Sequence, residues 1–215
     1  MLPSSLLYRP LSTLLKTWIA LVLFGLVLAL GLTARPAEAA GPSQVVERLN
    51  ASLLAVMQEA QVLGYRGRFD RLAPDLVQIF DFPAMTRAAV GRTWKGLDPE
   101  RQRAMVEAFG AFSIASFARR FDGFSGERFE VLAEEPGKRG KIVVRNRIVK
   151  ANGETVSIDY LTRMNDGQWR IVDILLDGRQ SELASRRAEY AAIIEREGFD
   201  YLLRSLQNKV TASGG

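Results

Sequence analysis

The sequence predicts an α+β fold, with an antiparallel sheet of about four strands between N-terminal and C-terminal helices. The apolar residues follow helical spacing up to about Phe121, alternate over residues 129–176, and return to helical spacing over residues 181–210. Asn152-Gly153 interrupts the alternating stretch, and this dipeptide is the strongest short signal for a hairpin turn. Helices and strands that are segregated along the chain are typical of the α+β class.

The first 39 residues are predicted to be a cleavable secretory signal peptide. Arg9 and Lys16 supply a positive start, residues 19–32 carry no charge, and Ala37-Glu38-Ala39 offers a small-x-small site for cleavage after Ala39. The apolar run of 14 residues is shorter than the roughly 20 residues that a membrane-spanning helix needs. We therefore expect an exported protein in which residues 40–215 form a single domain. The alternative is a structural subunit that an uncleaved segment tethers to the membrane.

The composition excludes several classes of chemistry. The chain has 215 residues and contains neither cysteine nor histidine. Disulfides, thiolate nucleophiles and cysteine-bound zinc are therefore excluded, and the commonest general base is missing. Loss of the predicted signal peptide leaves 176 residues with a net charge of +3, a small excess for a protein that binds nucleic acid. We expect no nucleic-acid partner, no metal and no cofactor.

Four helices are predicted before the sheet. A stripe of apolar residues marks the first, and Gly64 is predicted to end it. Pro74 is predicted to lie near the start of the second. Asp98-Pro99 has the pattern of a helix start, with the aspartate as N-cap and the proline in the first turn. The predicted helices span residues 43–63, 70–80, 83–90 and 100–121.

The alternating stretch is predicted to form a meander with one apolar face. Tight turns at Asn152-Gly153 and Asn165-Asp166-Gly167 join the last three of the four strands, at residues 128–133, 141–150, 154–164 and 169–176. The last strand has apolar residues at both parities, as expected of a strand that is covered on both faces. In the two middle strands, side-chain parity places these residues on the apolar face: Ile142, Val144, Ile148, Val156, Ile158, Tyr160 and Met164.

Two strand acids, Asp159 and Asp173, are the candidates for carboxylate chemistry. By parity Asp159 lies on the polar face, so we expect a solvated side chain there. Asp173 has apolar neighbours two residues away on each side, so we expect it to be buried beside a partner such as an arginine. A small hydrolase or isomerase that uses either acid is the alternative to a binding protein. No nucleophile elbow, phosphate-binding loop or dinucleotide-binding glycine pattern is present.

Two further features each allow two interpretations. A run of six basic residues without an acid is either a solvated sheet face or a contact for anionic headgroups or an acidic partner. It comprises Lys138, Arg139, Lys141, Arg145, Arg147 and Lys150. The helix over residues 100–121 carries too many phenylalanines for one narrow stripe, so it is either buried on two sides or lines an apolar cavity.

Five segments, in order, resemble the MlaC-type, or toluene-tolerance, family of periplasmic lipid-binding proteins across nearly all of residues 40–215. They are Phe80-Asp81-Phe82 with Arg87 and Val90-Gly91-Arg92-Thr93-Trp94, and residues 97–109, 126–132, 169–174 and 197–203. Other segments resemble the hopanoid-biosynthesis-associated branch called HpnM. They are residues 120–124, 134–136, 176–178 and 181–184, and Arg186-Arg187.

The resemblance implies a twisted sheet wrapped by helices around an apolar pocket, which holds lipid tails and leaves the headgroup outside. It implies a non-catalytic periplasmic carrier that moves phospholipid or hopanoid between an inner-membrane transporter, of the RND or ABC type, and the outer membrane with its own partner there. We expect the tails to contact apolar residues of the sheet and of the phenylalanine-rich helix: Phe109, Phe112, Phe117, Val144, Ile148, Val156, Ile158 and Tyr160.

Overall fold

The computed structural model describes residues 41–212, which form helices, then a sheet, then helices again. The predicted signal peptide and its cleavage site lie outside these residues. The helices are α1 (Pro42–Gln58), α2 (Ala60–Ile79), α3 (Phe82–Val90), α4 (Pro99–Arg120), α5 (Glu182–Glu197) and α6 (Phe199–Thr211). The strands are β1 (Arg128–Pro136), β2 (Ile142–Val149), β3 (Thr155–Asn165), β4 (Gln168–Leu176) and β5 (Gln180–Ser181). Within the described range, no helix is both long and apolar enough to cross a membrane.

The strands form one antiparallel sheet in the order β1-β2-β3-β4-β5, which confirms the predicted meander. Both predicted turns lie where the sequence places them. Asp166 and Gly167 connect β3 to β4 with positive φ angles of 48° and 74°, as a two-residue hairpin turn requires. The two-residue strand β5 was not predicted; it pairs with the end of β4 and leads directly into α5.

Strand β4 contains a bulge that changes which side chains share a face. Leu161 pairs with Asp173 and Thr162 pairs with Ile171, so Val172 is an extra residue on β4. Because a bulge shifts the alternation by one residue, Trp169 and Ile171 lie on the same face as Ile174 and Leu176. The predicted parity, which put these two pairs on opposite faces, is wrong. One continuous inner face of the sheet instead includes Trp169, Ile171, Ile174 and Leu176.

The helical segment before the sheet is divided differently from the prediction. Helix α1 ends at Gln58, and Glu59, with φ −101° and ψ 11°, breaks the helix there. Gly64 does interrupt the helical path, since its φ of 57° is strained for other residues, but it lies inside α2. Because α2 begins at Ala60, Pro74 lies in its interior and not near its start. The predicted start of α4 is confirmed, with the Asp98 carboxylate accepting from the Arg101 N–H at 2.8 Å.

Helix α1 contacts β1, β2, β3 and β4 and covers part of the inner face of the sheet. Its apolar stripe is fully buried there, as are Val144 on β2 and Tyr160 on β3. One polar pair lies within this contact, where Asn50 on α1 donates to Asn146 on β2 at 2.8 Å. At the start of α1 the Ser43 N–H donates to the Glu134 carboxylate at 2.8 Å. Helix α1 is therefore positioned by polar contacts as well as by apolar burial.

Several cations of the basic run are paired with acids on the outer face of the sheet. Arg147 contacts Glu130 at 2.6 Å and Lys150 contacts Glu154 at 2.9 Å. Arg145 contacts both Glu135, at 2.7 Å, and Asp159, at 2.5 Å. The hydrogen bond from Arg145 lowers the pKa of Glu135. The run therefore does not present six unpaired positive charges to a partner.

The expectation that Asp159 is solvated is wrong, because its side chain is only 2% exposed. Besides pairing with Arg145, its carboxylate accepts the backbone N–H of Asn146 at 3.0 Å. The turn between β4 and β5 packs closely over it, since a Cβ on Gly178 would lie 3.3 Å from Asp159 Oδ2. The acid thus joins β2, β3 and this turn on the outer face.

We expect Asp159→Asn to lower the free energy of unfolding by about 2 kcal/mol, because it removes the charge that pairs with Arg145 inside the structure. Glu135→Gln is the matched control. It removes the other partner of Arg145, but Glu135 is half exposed, so the loss is expected to stay below about 1 kcal/mol. Guanidinium chloride unfolding measures both variants. Equal losses would show that the burial of Asp159 contributes nothing of its own.

Candidate functional site

An apolar cleft lies between helices α3, α4 and α5 and the inner face of β3 and β4. The cavity itself is narrow, about 100 Å³, within a cleft whose empty space, including its open mouth, is about 800 Å³. Most of its lining side chains are aromatic or aliphatic. They are Phe80, Phe82, Met85, Phe109, Phe117, Phe121, Ile158, Tyr160, Ile174, Leu176 and Leu183. The polar lining comes from Ser113, Ser116, Arg120, Glu182 and Arg186.

A continuous row of phenylalanine rings forms the helical wall. Phe82 and Phe80 stack with their centroids 5.5 Å apart, and Phe80 meets Phe117 at the same distance. Phe117 then stacks on Phe121 at 5.9 Å, and Phe121 meets Phe129 of β1 at 6.1 Å. These separations are typical of favourable aromatic pairs. The row links the end of α2 and the start of α3 to α4 and the sheet.

Asp81 fixes the two rings that flank it in sequence. Its carboxylate caps α3 by accepting the Ala84 N–H at 3.0 Å, and it accepts from Arg163 at 2.9 Å and from Asn165 at 3.2 Å. Its own N–H donates to the carbonyl of Ile171 at 2.9 Å. The side chain is 5% exposed. One buried acid therefore holds the α2–α3 junction against β3 and β4, with Phe80 and Phe82 on the cleft side.

The sheet wall of the cleft consists of two cross-strand pairs. Ile158 lies opposite Leu176, and Tyr160 lies opposite Ile174. The bulge at Val172 brings Ile174 and Leu176 onto this face together with the apolar residues earlier in β4. Burial raises the pKa of the Tyr160 hydroxyl, and the nearby Asp159 raises it further. The side chain stays neutral at any physiological pH, so the wall carries no charge.

The polar groups gather on α4 and at the start of α5. Ser113 and Ser116 each donate to a carbonyl one turn earlier in α4, at 2.8 Å, so their hydroxyl protons are used within the helix. Arg186 lies over the ring of Phe112, with 4.9 Å between its guanidinium carbon and the ring centroid. Its contact with Glu182 is long, at 3.9 Å.

Four of the eight residues predicted to contact lipid line this cleft: Phe109, Phe117, Ile158 and Tyr160. The other four lie elsewhere. Phe112 is covered by Arg186 and by Lys209 of α6, and Val144 is fully buried in the core. Ile148 and Val156 pair with each other nearer the β2–β3 turn, where Val156 is 38% exposed. Whether any of these residues contacts lipid remains a prediction.

Sequence reasoning missed the residues that the chain brings to the cleft from outside the strands and α4. Phe80, Phe82 and Met85 come from the α2–α3 junction, and Leu183 comes from α5. The motif Phe80-Asp81-Phe82 carried a usable signal, because a buried acid between two aromatic residues needs polar partners that fix its neighbours.

Neither strand acid lies in the cleft. Asp173 accepts from the Ser181 hydroxyl at 2.5 Å and from the backbone N–H of Leu183 at 3.1 Å. Its partners are thus Ser181 and the start of α5. The prediction that an arginine pairs with Asp173 is wrong. The sheet register makes Asp159 and Asp173 diagonal neighbours on the outer face. Both carboxylates are occupied by hydrogen bonds that connect structural elements.

We expect Asp81→Asn to lower the free energy of unfolding by about 1–3 kcal/mol, because it weakens the α3 cap and leaves Arg163 without its charge partner. Asp70→Asn is the control, since Asp70 pairs with Arg66 on the surface of α2 with both side chains more than half exposed. That change is expected to cost less than about 0.5 kcal/mol. Urea unfolding compares the two, and an equal effect would contradict the anchoring role of Asp81.

Comparisons with known proteins agree with this architecture. The family model described as MlaC protein matches residues 47–208. A solved structure of a phospholipid-binding protein from Ralstonia solanacearum, in complex with a phospholipid, is similar to this chain with a TM-score of 0.71. The two are 21% identical, and the match covers 82% of this chain and 100% of that one. At this identity the likeness shows the fold alone. No curated protein matches the chain. Since the family model spans most of its length, the chain belongs to the MlaC family.

Proposed function

We propose that this protein is a lipid carrier that shields lipid tails in the cleft and leaves the headgroup at its mouth. The observation that carries the proposal is the cleft itself, whose lining is mostly apolar and which is open to solvent. Membership of the MlaC family supports it, as does the similarity to a protein solved in complex with a phospholipid.

The driving force for such binding is the removal of tail surface from water. Each buried CH₂ contributes about 0.8 kcal/mol, so a tail of ordinary length gains about 10 kcal/mol before the costs of ordering. No reactive side chain is needed for this. We therefore propose a non-catalytic function, with the strand acids serving the fold.

The cleft must widen to accept a tail. Its cavity of about 100 Å³ is below the roughly 300–1,000 Å³ of typical small-molecule sites. Helix α5 is the wall best suited to move, because Tyr190 is the one fully buried side chain among its residues. Its cleft-lining residues, Glu182, Leu183 and Arg186, are only half-buried. We propose that α5 moves away from the sheet when a lipid enters.

The cellular setting is proposed from the sequence. The signal-peptide pattern of residues 1–39 supports export to the periplasm with cleavage after Ala39. Movement of lipid between an inner-membrane transporter, of the RND or ABC type, and the outer membrane is proposed from the resemblance to carriers. From the same resemblance we propose that the protein belongs to the hopanoid-associated branch and that a hopanoid is the alternative cargo to phospholipid.

Mass spectrometry of lipid extracted from the purified exported protein tests the proposal. We expect close to one lipid molecule per chain, or uptake to that level when the emptied protein is offered phospholipid or hopanoid. N-terminal sequencing of the same sample is expected to begin at Ala40. A protein that is empty as purified and takes up neither lipid would contradict the proposed function.

Filling the cleft should block loading. We expect Ile174→Trp to reduce bound lipid about tenfold, because the larger side chain occupies the space that the tail needs and overpacking costs about 1–3 kcal/mol. Val77→Trp is the control, because Val77 is an exposed residue of α2 outside the cleft. Lipid per chain after gel filtration is the measurement. If the Ile174 variant bound as much lipid as the unaltered protein, the proposed position of the tail in the cleft would be contradicted.

A further inference from the structure

One glycine lies buried in the middle of α4, next to the helical wall of the cleft. Gly110 is far from both ends of this helix of 22 residues. A glycine in a helix interior is less favourable than an alanine, because it loses more conformational freedom on folding. Gly110 does not have a positive φ angle, so the backbone does not require glycine there. The reason for this residue therefore lies in what packs against it.

The ring of Phe82 occupies the space that a side chain at position 110 would need. A Cβ on Gly110 would lie 3.3 Å from Cδ2 of Phe82, 3.6 Å from its Cγ and 3.8 Å from its Cε2. The three nearest heavy atoms thus belong to one ring. The shortest of these distances is below ordinary van der Waals contact, so an added methyl group would move the ring by a few tenths of an ångström.

Phe82 also contacts two other rings that line the cleft. It stacks on Phe80 with the ring planes 12° apart, and it meets Phe109 edge-on with the centroids 6.3 Å apart. Its backbone is held at the start of α3, where Asp81 caps the helix and pairs with Arg163. Since Phe82 itself lines the cleft, a ring that is pushed away from α4 takes space from the cleft.

No other glycine has this relation to an aromatic side chain. Within the part of the chain that the structure describes, Gly110 is the one glycine whose Cβ would meet an aromatic ring. The cost of a glycine in the helix is thus accepted at the position where it lets a cleft-lining ring lie directly against the α4 backbone.

We propose that Gly110 is a positioning residue for the cargo, which acts by letting the Phe82 ring lie against α4 and so sets the largest tail cross-section that the cleft accepts. The inference rests on the proposed function, because it concerns the tails that the cleft holds. The cavity is only about 100 Å³, so a small movement of one wall changes a large share of it. Methyl-branched tails therefore depend on Gly110 more than straight tails do.

A competition between two lipids with the same headgroup and the same main-chain length tests the proposal. Emptied protein is mixed with equal amounts of diphytanoylphosphatidylglycerol, whose tails are methyl-branched, and dipalmitoylphosphatidylglycerol, whose tails are straight, in uncharged detergent micelles. The bound lipids are quantified by mass spectrometry after gel filtration. We expect Gly110→Ala to lower the bound ratio of branched to straight lipid about fivefold, since extra methyl groups in a packed apolar space are costly. The ratio corrects for any fraction of the variant that fails to fold.

Two further variants separate the role of the ring from a general effect on a helix. Phe82→Leu removes the ring that the new methyl group would meet, so Gly110→Ala/Phe82→Leu is expected to restore at least the ratio of the unaltered protein. Gly67→Ala is the matched control in α2. Its Cβ would lie 3.0 Å from the Cβ of Leu63, and neither of these residues lines the cleft. The lipid ratio of this control is expected to equal that of the unaltered protein.

The outcomes distinguish this proposal from the proposed function. An unchanged ratio in the Gly110→Ala variant, or an equal change in the Gly67→Ala control, overturns the positioning role while lipid carriage stands. If Phe82→Leu did not restore the ratio, the added methyl group would act through another neighbour, and the pairing of Gly110 with Phe82 would be overturned. Failure of the unaltered protein to take up either lipid overturns both proposals.

Discussion

The structure depends on one constraint: the sheet has a larger apolar inner face than its first helix covers. Helix α1 contacts all four long strands, and its apolar stripe packs with Val144 in the buried core. The remaining part of the face, formed by Ile158, Leu176, Tyr160 and Ile174, is left to the phenylalanine row and to α5. Because these elements cover this part of the sheet only loosely, a cleft remains between them and the strands. The same face thus provides both the stability of the fold and the candidate binding site.

Buried acids position the walls of this cleft from behind. Asp81 holds the α2–α3 junction to the sheet, Asp173 holds the start of α5, and Asp159 joins β3 to β2 beneath the β4–β5 turn. Each carboxylate accepts two or more hydrogen bonds, which is how a buried charge is stabilised. A chain without cysteine has no disulfide to connect its elements, and these acids supply cross-links of another kind. Their burial follows from architecture and gives no indication of catalysis.

The sequence predicts the class of fold and most element types, because hydrophobic periodicity and turn residues are local signals. The hairpin at Asn152-Gly153 and the helix start at Asp98-Pro99 are local in this sense, and the structure confirms both. The bulge at Val172 has no such signal. It arises from how β4 pairs with β3, so the parity of Ile171 against Ile174 could not be read from the strand alone. Asp159 was misjudged for the same reason, because its cover comes from Arg145 and from a turn many residues away.

The lining of the cleft was only half predictable for a physical reason. Residues of the core and of a cleft share apolar character and spacing, and they differ only in what packs opposite them. Val144 packs beneath α1 and belongs to the core. Tyr160 lies opposite Val144 in the sheet, and Ile158, two positions earlier in β3, lines the cleft. That difference is decided by where α1 ends and where α5 begins.

Charge completes the distinction between core and cleft. An arginine buried at the border of a core needs partners because it loses hydration, and Arg68 donates to the carbonyls of Ala118 and Ala60 at 2.9 and 3.0 Å. Arg120 and Arg186 instead line the cleft, where Arg120 is exposed and Arg186 stacks on Phe112. The helix that carries Arg186 also has the fewest buried residues among the helices that line the cleft, so the proposed movement of α5 would carry a charged part of the lining with it.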